Sequence, residues 1–160
     1  MSAPAGIRTS RLDDAARFGE VLALVHEAFA GLEPPSGVMS ETVADIEQRF
    51  KAGPVLIAEA GAELVGSVFC AVNGDALYLT RLATLPAWRR RGIAQALMAA
   101  AEAQVRATGV KRLALRVRIS LPQNRQYFER LGFIATGQGQ EPGRTPYTAM
   151  ERRLSGQGGV

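Results

Sequence analysis

Cysteine, histidine and tryptophan each occur once in these 160 residues, only two lysines are present, and aromatic residues make up 6% of the chain. A single cysteine, Cys70, excludes an intramolecular disulfide and any thiolate-rich zinc cluster. The single histidine, His26, falls beside the apolar face of a helical pattern, where a packing role is expected and no serine triad can be assembled. A Cys70–His26 nucleophile pair fails as well, because Cys70 sits mid-strand among apolar residues and behaves there as a small hydrophobe. No apolar run approaches the length of a membrane span, and the first residues lack the basic-then-apolar order of a signal peptide. The expectation is therefore a cytoplasmic protein with no membrane partner and no metal. At 47% hydrophobic and 21% charged the composition is that of an ordinary globular protein, long enough for one domain over residues 1–160. Loose tails are expected at 1–6 and 155–160. The net charge of +4, carried almost wholly by arginine, favours an anionic partner.

What is present is concentrated between Leu79 and Met98. A strand leads through Leu85-Pro86 into Arg89-Arg90-Arg91-Gly92, and an alanine-rich helix follows. The first turn of a helix carries backbone N–H groups without intrahelical acceptors, and the helix dipole adds positive potential there. Such an end binds phosphate. Gly92 lets a ligand approach the backbone, and the three arginines can pair with phosphate oxygens. The local chemistry reads as a pyrophosphate cradle.

Along the chain, Ile7-Arg8-Thr9 reads as a first strand and Leu12-Asp13-Asp14 as a helix start, with Phe18, Leu22, Val25 and Phe29 on one apolar face. The Gly31–Gly37 segment with Pro34 and Pro35 is a loop, after which Ser40 caps a second helix through Phe50. Strands at 55–58, 64–72 and 76–84 follow, the last two joined by the hairpin signal Asn73-Gly74. A helix over 92–108, stopped by Gly109, precedes a strand at 111–118 with Leu113, Leu115 and Val117 facing one way. A short helix over 122–131, a strand from Phe133 and a strand over 147–154 complete the order β-α-α-β-β-β-α-β-α-β-β, a mixed α/β fold with a βαβ crossover at its centre.

Two motifs carry a resemblance. Arg89-x-x-Gly92-x-Ala94, with its Leu82-Ala83-Thr84-Leu85-Pro86 lead-in, resembles the Q/R-x-x-G-x-G/A signature of the GNAT superfamily of acyl-CoA-dependent N-acyltransferases. Asn124-Arg125-Gln126-Tyr127-Phe128-Glu129-Arg130-Leu131-Gly132-Phe133 is similar to the second signature of that family. The resemblance extends from about Ile7 to Leu154. It implies a mostly antiparallel sheet of six to seven strands flanked by about four helices, with a V-shaped splay between the two central strands. It implies acetyl-CoA as cofactor, an amine acceptor and a homodimer. Leu82, Ala83 and Thr84 would pair with the pantetheine arm beside a bulge, and Arg89 through Gln95, including Ile93, would hold the pyrophosphate. Asn124, Tyr127 and Phe128 would line the far side of the arm. The backbone N–H of Ala83 would be the oxyanion donor, while Phe29, Glu33 and Tyr147 would line the acceptor pocket.

The chain departs from this pattern at the acid. The family places a tyrosine second in a Phe-Tyr pair, whereas Tyr127-Phe128 reverses the order, and adjacent helix residues point about 100° apart. Tyr127 is the remaining candidate acid. Arg81 also stands where the family often has an acidic residue on the central strand, so no carboxylate is assigned as base. The leading reading is acetyl transfer from acetyl-CoA to a small-molecule amine. Transfer to a protein N-terminus or lysine is the nearest alternative, and Leu121, where the ribosomal-protein type has Asn, argues against it. Two other classes are a silent acyl-CoA sensor and a nucleic-acid binder using Trp88–Arg91 with Arg112, Arg116 and Arg118. The last is disfavoured by the absence of any nucleic-acid-binding motif.

Overall fold

The structure, a computed structural model, describes residues 3–154. Its elements are β1 (Ile7–Arg11), α1 (Phe18–Phe29), α2 (Val43–Ala52), β2 (Val55–Ala60), β3 (Glu63–Asn73), β4 (Ala76–Thr84), α3 (Ile93–Val105), β5 (Arg112–Arg118), α4 (Pro122–Arg130), β6 (Ile134–Gly139) and β7 (Tyr147–Arg153). The seven strands form one sheet in the order β1-β2-β3-β4-β5-β7-β6. Every neighbouring pair is antiparallel except β4 and β5, the pair joined by the α3 crossover.

Alternation along the strands sends apolar side chains to both faces, and each face builds its own core. On one side Leu77 and Leu79 of β4 and Leu113, Leu115 and Val117 of β5 pack against Ile93, Leu97, Ala101 and Val105 of α3. On the other, Ile57 and Phe69 pack against Phe18, Val21 and Val25 of α1 and Ile46 of α2. The α3 stripe expected from its i, i+4 spacing is the stripe buried. Gly66 of β3 lies under α3: a Cβ there would fall 2.9 Å from Ile93 Cγ2 and 3.1 Å from Leu97 Cδ1. Behind α3, Glu102 is buried and accepts from Arg152 Nη2 of β7 at 2.9 Å, locking the helix to the far half of the sheet.

Several boundaries differ from the sequence reading. Asp14 caps a short 3-10 turn at Ala15–Arg17 through the Ala16 N–H, so α1 begins at Phe18, not near Leu12, and Leu12 is drawn into the core. Ser40 closes a 3-10 turn by donating to Gly37 O; the cap of α2 is Thr42, in a capping box with Asp45. The α3 helix stops at Val105 because the Thr108 hydroxyl donates to Val105 O at 2.7 Å and accepts from Val110 N at 3.2 Å. Of the expected tail at 1–6, residues 1 and 2 lie outside the described residues; at its other end Ile7 N donates to Pro4 O, and Pro4 Cγ lies 3.6 Å from where a Cβ on Gly92 would stand. The expected tail at 155–160 lies outside the described residues. No helix among the described residues is long and apolar enough to cross a membrane.

Candidate active site

The β4 and β5 strands share a ladder only from Ala76–Tyr78 against Arg112–Ala114. Beyond Tyr78 they part, β5 staying with β7 and β4 with β3, so Leu79 to Thr84 present one backbone edge that no strand covers. Within that stretch the β3–β4 register slips between Ser67 and Phe69, which face Ala83 and Thr80, and the extra residue forms a bulge. Arg81 sits in the bulge at φ 51°, a left-handed conformation that costs a non-glycine residue energy. Its guanidinium is held in return: Nε donates to Glu41 Oε1 at 2.7 Å, Nη2 to the other oxygen, and Nη1 to Thr80 Oγ1. Both side chains of this forked pair are about nine-tenths buried.

Register decides which amides face the opening. Leu85 N donates to Val65 O, and Ala83 is opposite Ser67. In an antiparallel ladder the bonded pairs alternate, so the Ala83 N–H turns toward β3 while those of Leu82 and Thr84 turn to the uncovered edge. The expected oxyanion donor is therefore displaced: Ala83 spends its N–H inside the sheet.

The same edge runs into the α3 N-terminus. Gly92 caps the helix at φ 79°, and the first helical bond is Ala96 N to Gly92 O, which leaves Ile93, Ala94 and Gln95 without intrahelical acceptors. Ile93 is buried against β3 and fixes where these donors point. The three arginines divide their work. Arg89 Nη2 donates to Ala28 O at the end of α1, Arg91 stacks over Trp88 at 4.7 Å, and exposed Arg90 turns the chain in the left-handed region at φ 64°. Nothing lies closer to a Cβ at Gly92 than Pro4 Cγ at 3.6 Å, so the turn is open above the helix end.

On the α1–α2 face of the sheet, next to the bulge, lies a cavity of about 340 Å³. Its walls include Arg49 of α2, Tyr78 and Thr80 of β4, Asn73 of β3 and Arg116 of β5. Arg116 lies over the rings of Tyr147 at 4.2 Å and Tyr78 at 5.6 Å, and Nη1 donates to Glu141 at 2.7 Å. Burial pushes the Tyr78 hydroxyl above the ordinary tyrosine range, although the Arg116 guanidinium pulls the other way. Arg118 Nη1 reaches across to Pro34 O, and Gly37 lies against Arg144, so the α1–α2 and β6–β7 loops meet beside the cavity.

Residues 22–133 match the family model of the acetyltransferase (GNAT) family. The chain belongs to the GNAT family. As a member it is an acyltransferase, and its seven-stranded sheet with four helices is the GNAT fold. Among solved structures it is similar to the ribosomal-protein-S18-alanine N-acetyltransferase of Escherichia coli, with a TM-score of 0.75 and 19% identity over 93% of this chain and 94% of that one. It is also similar to Ard1 of Thermoplasma volcanium, with a TM-score of 0.79 and 15% identity over 94% and 99%. A spermidine N-acetyltransferase chimera from Vibrio cholerae and hSSAT aligns with a TM-score of 0.72 and 17% identity over 94% and 97%. No curated protein matches the sequence.

Against this GNAT frame, the residues expected at the cofactor cluster as two groups, the β4 edge at 82–84 and the α3 turn at 89–95. On α4, Asn124 is exposed in the first turn, and Tyr127 is half-buried with its ring edge-on to Phe128 at 5.1 Å. Burial raises the Tyr127 hydroxyl above its usual value while nearby Arg130 lowers it. Phe128, by contrast, packs on Phe133 and the α3-side core. Of the expected acceptor residues, Tyr147 stands under Arg116, whereas Phe29 packs into the α1-side core and Glu33 is exposed in the α1–α2 loop. Cys70 is buried, its thiol pushed up to about 12 by desolvation, which removes it from nucleophilic chemistry. His26 keeps a buried Nε2 without a hydrogen-bond partner. Sequence reasoning missed Arg49, Tyr78, Thr80 and Arg116 as cavity walls and Glu41 as the partner of Arg81.

Proposed function

We propose that this GNAT member transfers an acetyl group from acetyl-CoA to a primary amine of a small molecule. One observation carries the reading: the uncovered β4 edge runs directly into an α3 N-terminus with free amides behind an open glycine turn. Acetyl-CoA supplies an acetyl group activated as a thioester, an amide-bearing arm and a diphosphate. The residues fit these parts. Thr84 offers an outward N–H group to an extended amide chain, as a sheet edge does to an added strand. Ile93, Ala94 and Gln95 offer N–H groups to a diphosphate, and Arg90 adds charge at the same end. The Leu82 N–H, beside the bulge, is the donor suited to stabilise negative charge at the reacting carbonyl oxygen, a contribution of roughly 3–4 kcal/mol. The Tyr127 hydroxyl, a protonated group whose titration burial pushes further up, is suited to deliver a proton to the departing sulfur. Glu41 gives both carboxylate oxygens to Arg81, and no carboxylate lines the cavity, so no side-chain base is assigned and the proton lost by the amine is routed to solvent. The small size of the cavity and the two loops that meet beside it favour a small acceptor over a protein surface.

Calorimetric titration with acetyl-CoA and with CoA tests the reading. Micromolar binding is expected for the wild type, and its loss in Gly92→Trp, where a side chain enters the cradle at a positive φ. Arg90→Glu, at an exposed site, should weaken binding without a folding defect. Absence of binding by wild type at tens of micromolar would overturn the proposal. Thiol release on a panel of small amines and peptides then separates the small-molecule reading from protein acetylation.

A further inference from the structure

We infer that the acceptor amine also carries a carboxylate, bound in the cavity beside β4 by Arg116 and Arg49. The inference rests on the acetyltransferase reading and names its substrate class. The cavity wall holds two guanidinium groups and no carboxylate. Both arginines have acidic partners, but those partners lie outside the wall and are poorly committed. Arg49 meets Glu41 at 3.4 Å, while Glu41 gives its two oxygens to Arg81. Arg116 pairs with Glu141, whose side chain is 58% exposed on the β6–β7 connection. The Arg116–Glu141 pair, exposed on both sides, is of the kind that is held weakly and can be exchanged.

The setting of Arg116 suits a carboxylate. The Tyr147 and Tyr78 rings stack on the guanidinium, so its N–H donors run out along the edges of the plane. Glu141 engages one donor and the Tyr78 hydroxyl lies against the guanidinium as well, which leaves the remaining N–H donors for carboxylate oxygens. The Thr80 and Tyr78 hydroxyls add neutral polar groups to the same wall. Thr80 and Leu82 flank the Arg81 bulge on the same strand, so this wall adjoins the Leu82 amide. An amino acid anchored by its carboxylate at this wall can therefore set its amine beside the bulge. A polyamine would place a second ammonium against two arginines, and a peptide N-terminus would place a neutral amide where the carboxylate belongs.

The test uses matched pairs: α-, β- and γ-amino acids and the same compounds with the carboxylate converted to an amide. Thiol release from acetyl-CoA gives kcat and KM, and calorimetry on the CoA-loaded protein gives binding without turnover. The carboxylate members should show KM values at least tenfold below their amides. In Arg116→Gln that ratio should collapse toward one, through KM and not kcat. Arg116→Lys, which keeps the charge and loses the fork, should fall between. Glu141→Gln, at an exposed site, should lower KM for the carboxylates by freeing the guanidinium. Equal or better use of the amides, of spermidine or of peptides overturns the inference and leaves acetyl transfer standing. Absence of carboxylate-dependent binding to the CoA-loaded protein overturns it whether or not transfer occurs. Failure of the protein to bind CoA would instead overturn the reading beneath it.

Discussion

Two glycine-to-alanine substitutions in this protein should have opposite signs, and the contrast tests the account of how the cradle is placed. At Gly66 a Cβ would stand 2.9 Å from Ile93 Cγ2 and 3.1 Å from both Ala83 O and Leu97 Cδ1, where ordinary contact begins near 3.4 Å. Neither neighbour can yield alone, because Ile93 and Leu97 are buried against the sheet and Ala83 O is main chain. The α3 helix must lift by a few tenths of an ångström, an overpacking that costs about 1–3 kcal/mol. At Gly19, on the exposed side of α1, nothing lies within 4 Å and φ is not positive, so alanine should add roughly 0.5–1 kcal/mol through helix propensity. Urea midpoints on the two variants measure both effects. Lifting α3 also moves the amides of Ile93, Ala94 and Gln95 away from the β4 edge, so Gly66→Ala should weaken CoA binding beyond its effect on stability. Gly19→Ala should leave binding alone. A Gly66→Ala protein of wild-type stability, or one destabilised with unchanged CoA affinity, would refute the claim that this contact sets the cradle.

Two further outcomes follow from the charged contacts. Glu102→Gln should destabilise by about 2–3 kcal/mol, since it removes the buried negative charge that faces Arg152, whose Nε already lacks an acceptor; thermal unfolding should show it as a fall of several degrees. Glu59 is pushed up by burial, but hydrogen bonds from Arg17 and Arg8 outweigh that and hold its carboxyl below the usual value of 4.5. A depressed carboxyl contributes stability above the unfolded value and loses it as pH falls through the folded one. Glu59→Gln should thus flatten part of the loss of stability seen in urea midpoints below about pH 4.5, and an unchanged acid limb would count against the pairing.

The order of elements was legible because it depends on local pattern. The α3 stripe repeats every turn, β5 alternates, and Asn73-Gly74 marks a hairpin whose glycine adopts φ 63°. The α2 cap was misread at Ser40, although Thr42 followed three residues later by Asp45 is the stronger signal. The site was legible only where it, too, is local, at the β4–α3 turn. Arg89 looks equivalent to its two neighbours in sequence, yet it is committed to Ala28, 61 residues away. The direction of the Ala83 amide depends on register parity with β3, which residue type does not encode. The cavity draws Arg49, Tyr78 and Arg116 from three separate elements, so no spacing in the chain reveals it.

The parting of β4 from β5 has a consequence for the protein's lifetime as well as its chemistry. Most sheets confine unpaired edges to their margins, where charge, bulges or covering loops guard them. Here one such edge lies in the middle, and the free chain is a sheet with an interior strand missing. A ligand that pairs with Leu82 and Thr84 completes it, and so adds to the free energy of unfolding in proportion to the logarithm of its concentration. At a hundred times its Kd that increment is about 2.7 kcal/mol, a large share of the margin of a typical domain. The concentration of such a ligand would then govern how often the chain opens to proteases, making turnover of the protein itself a readout of ligand supply.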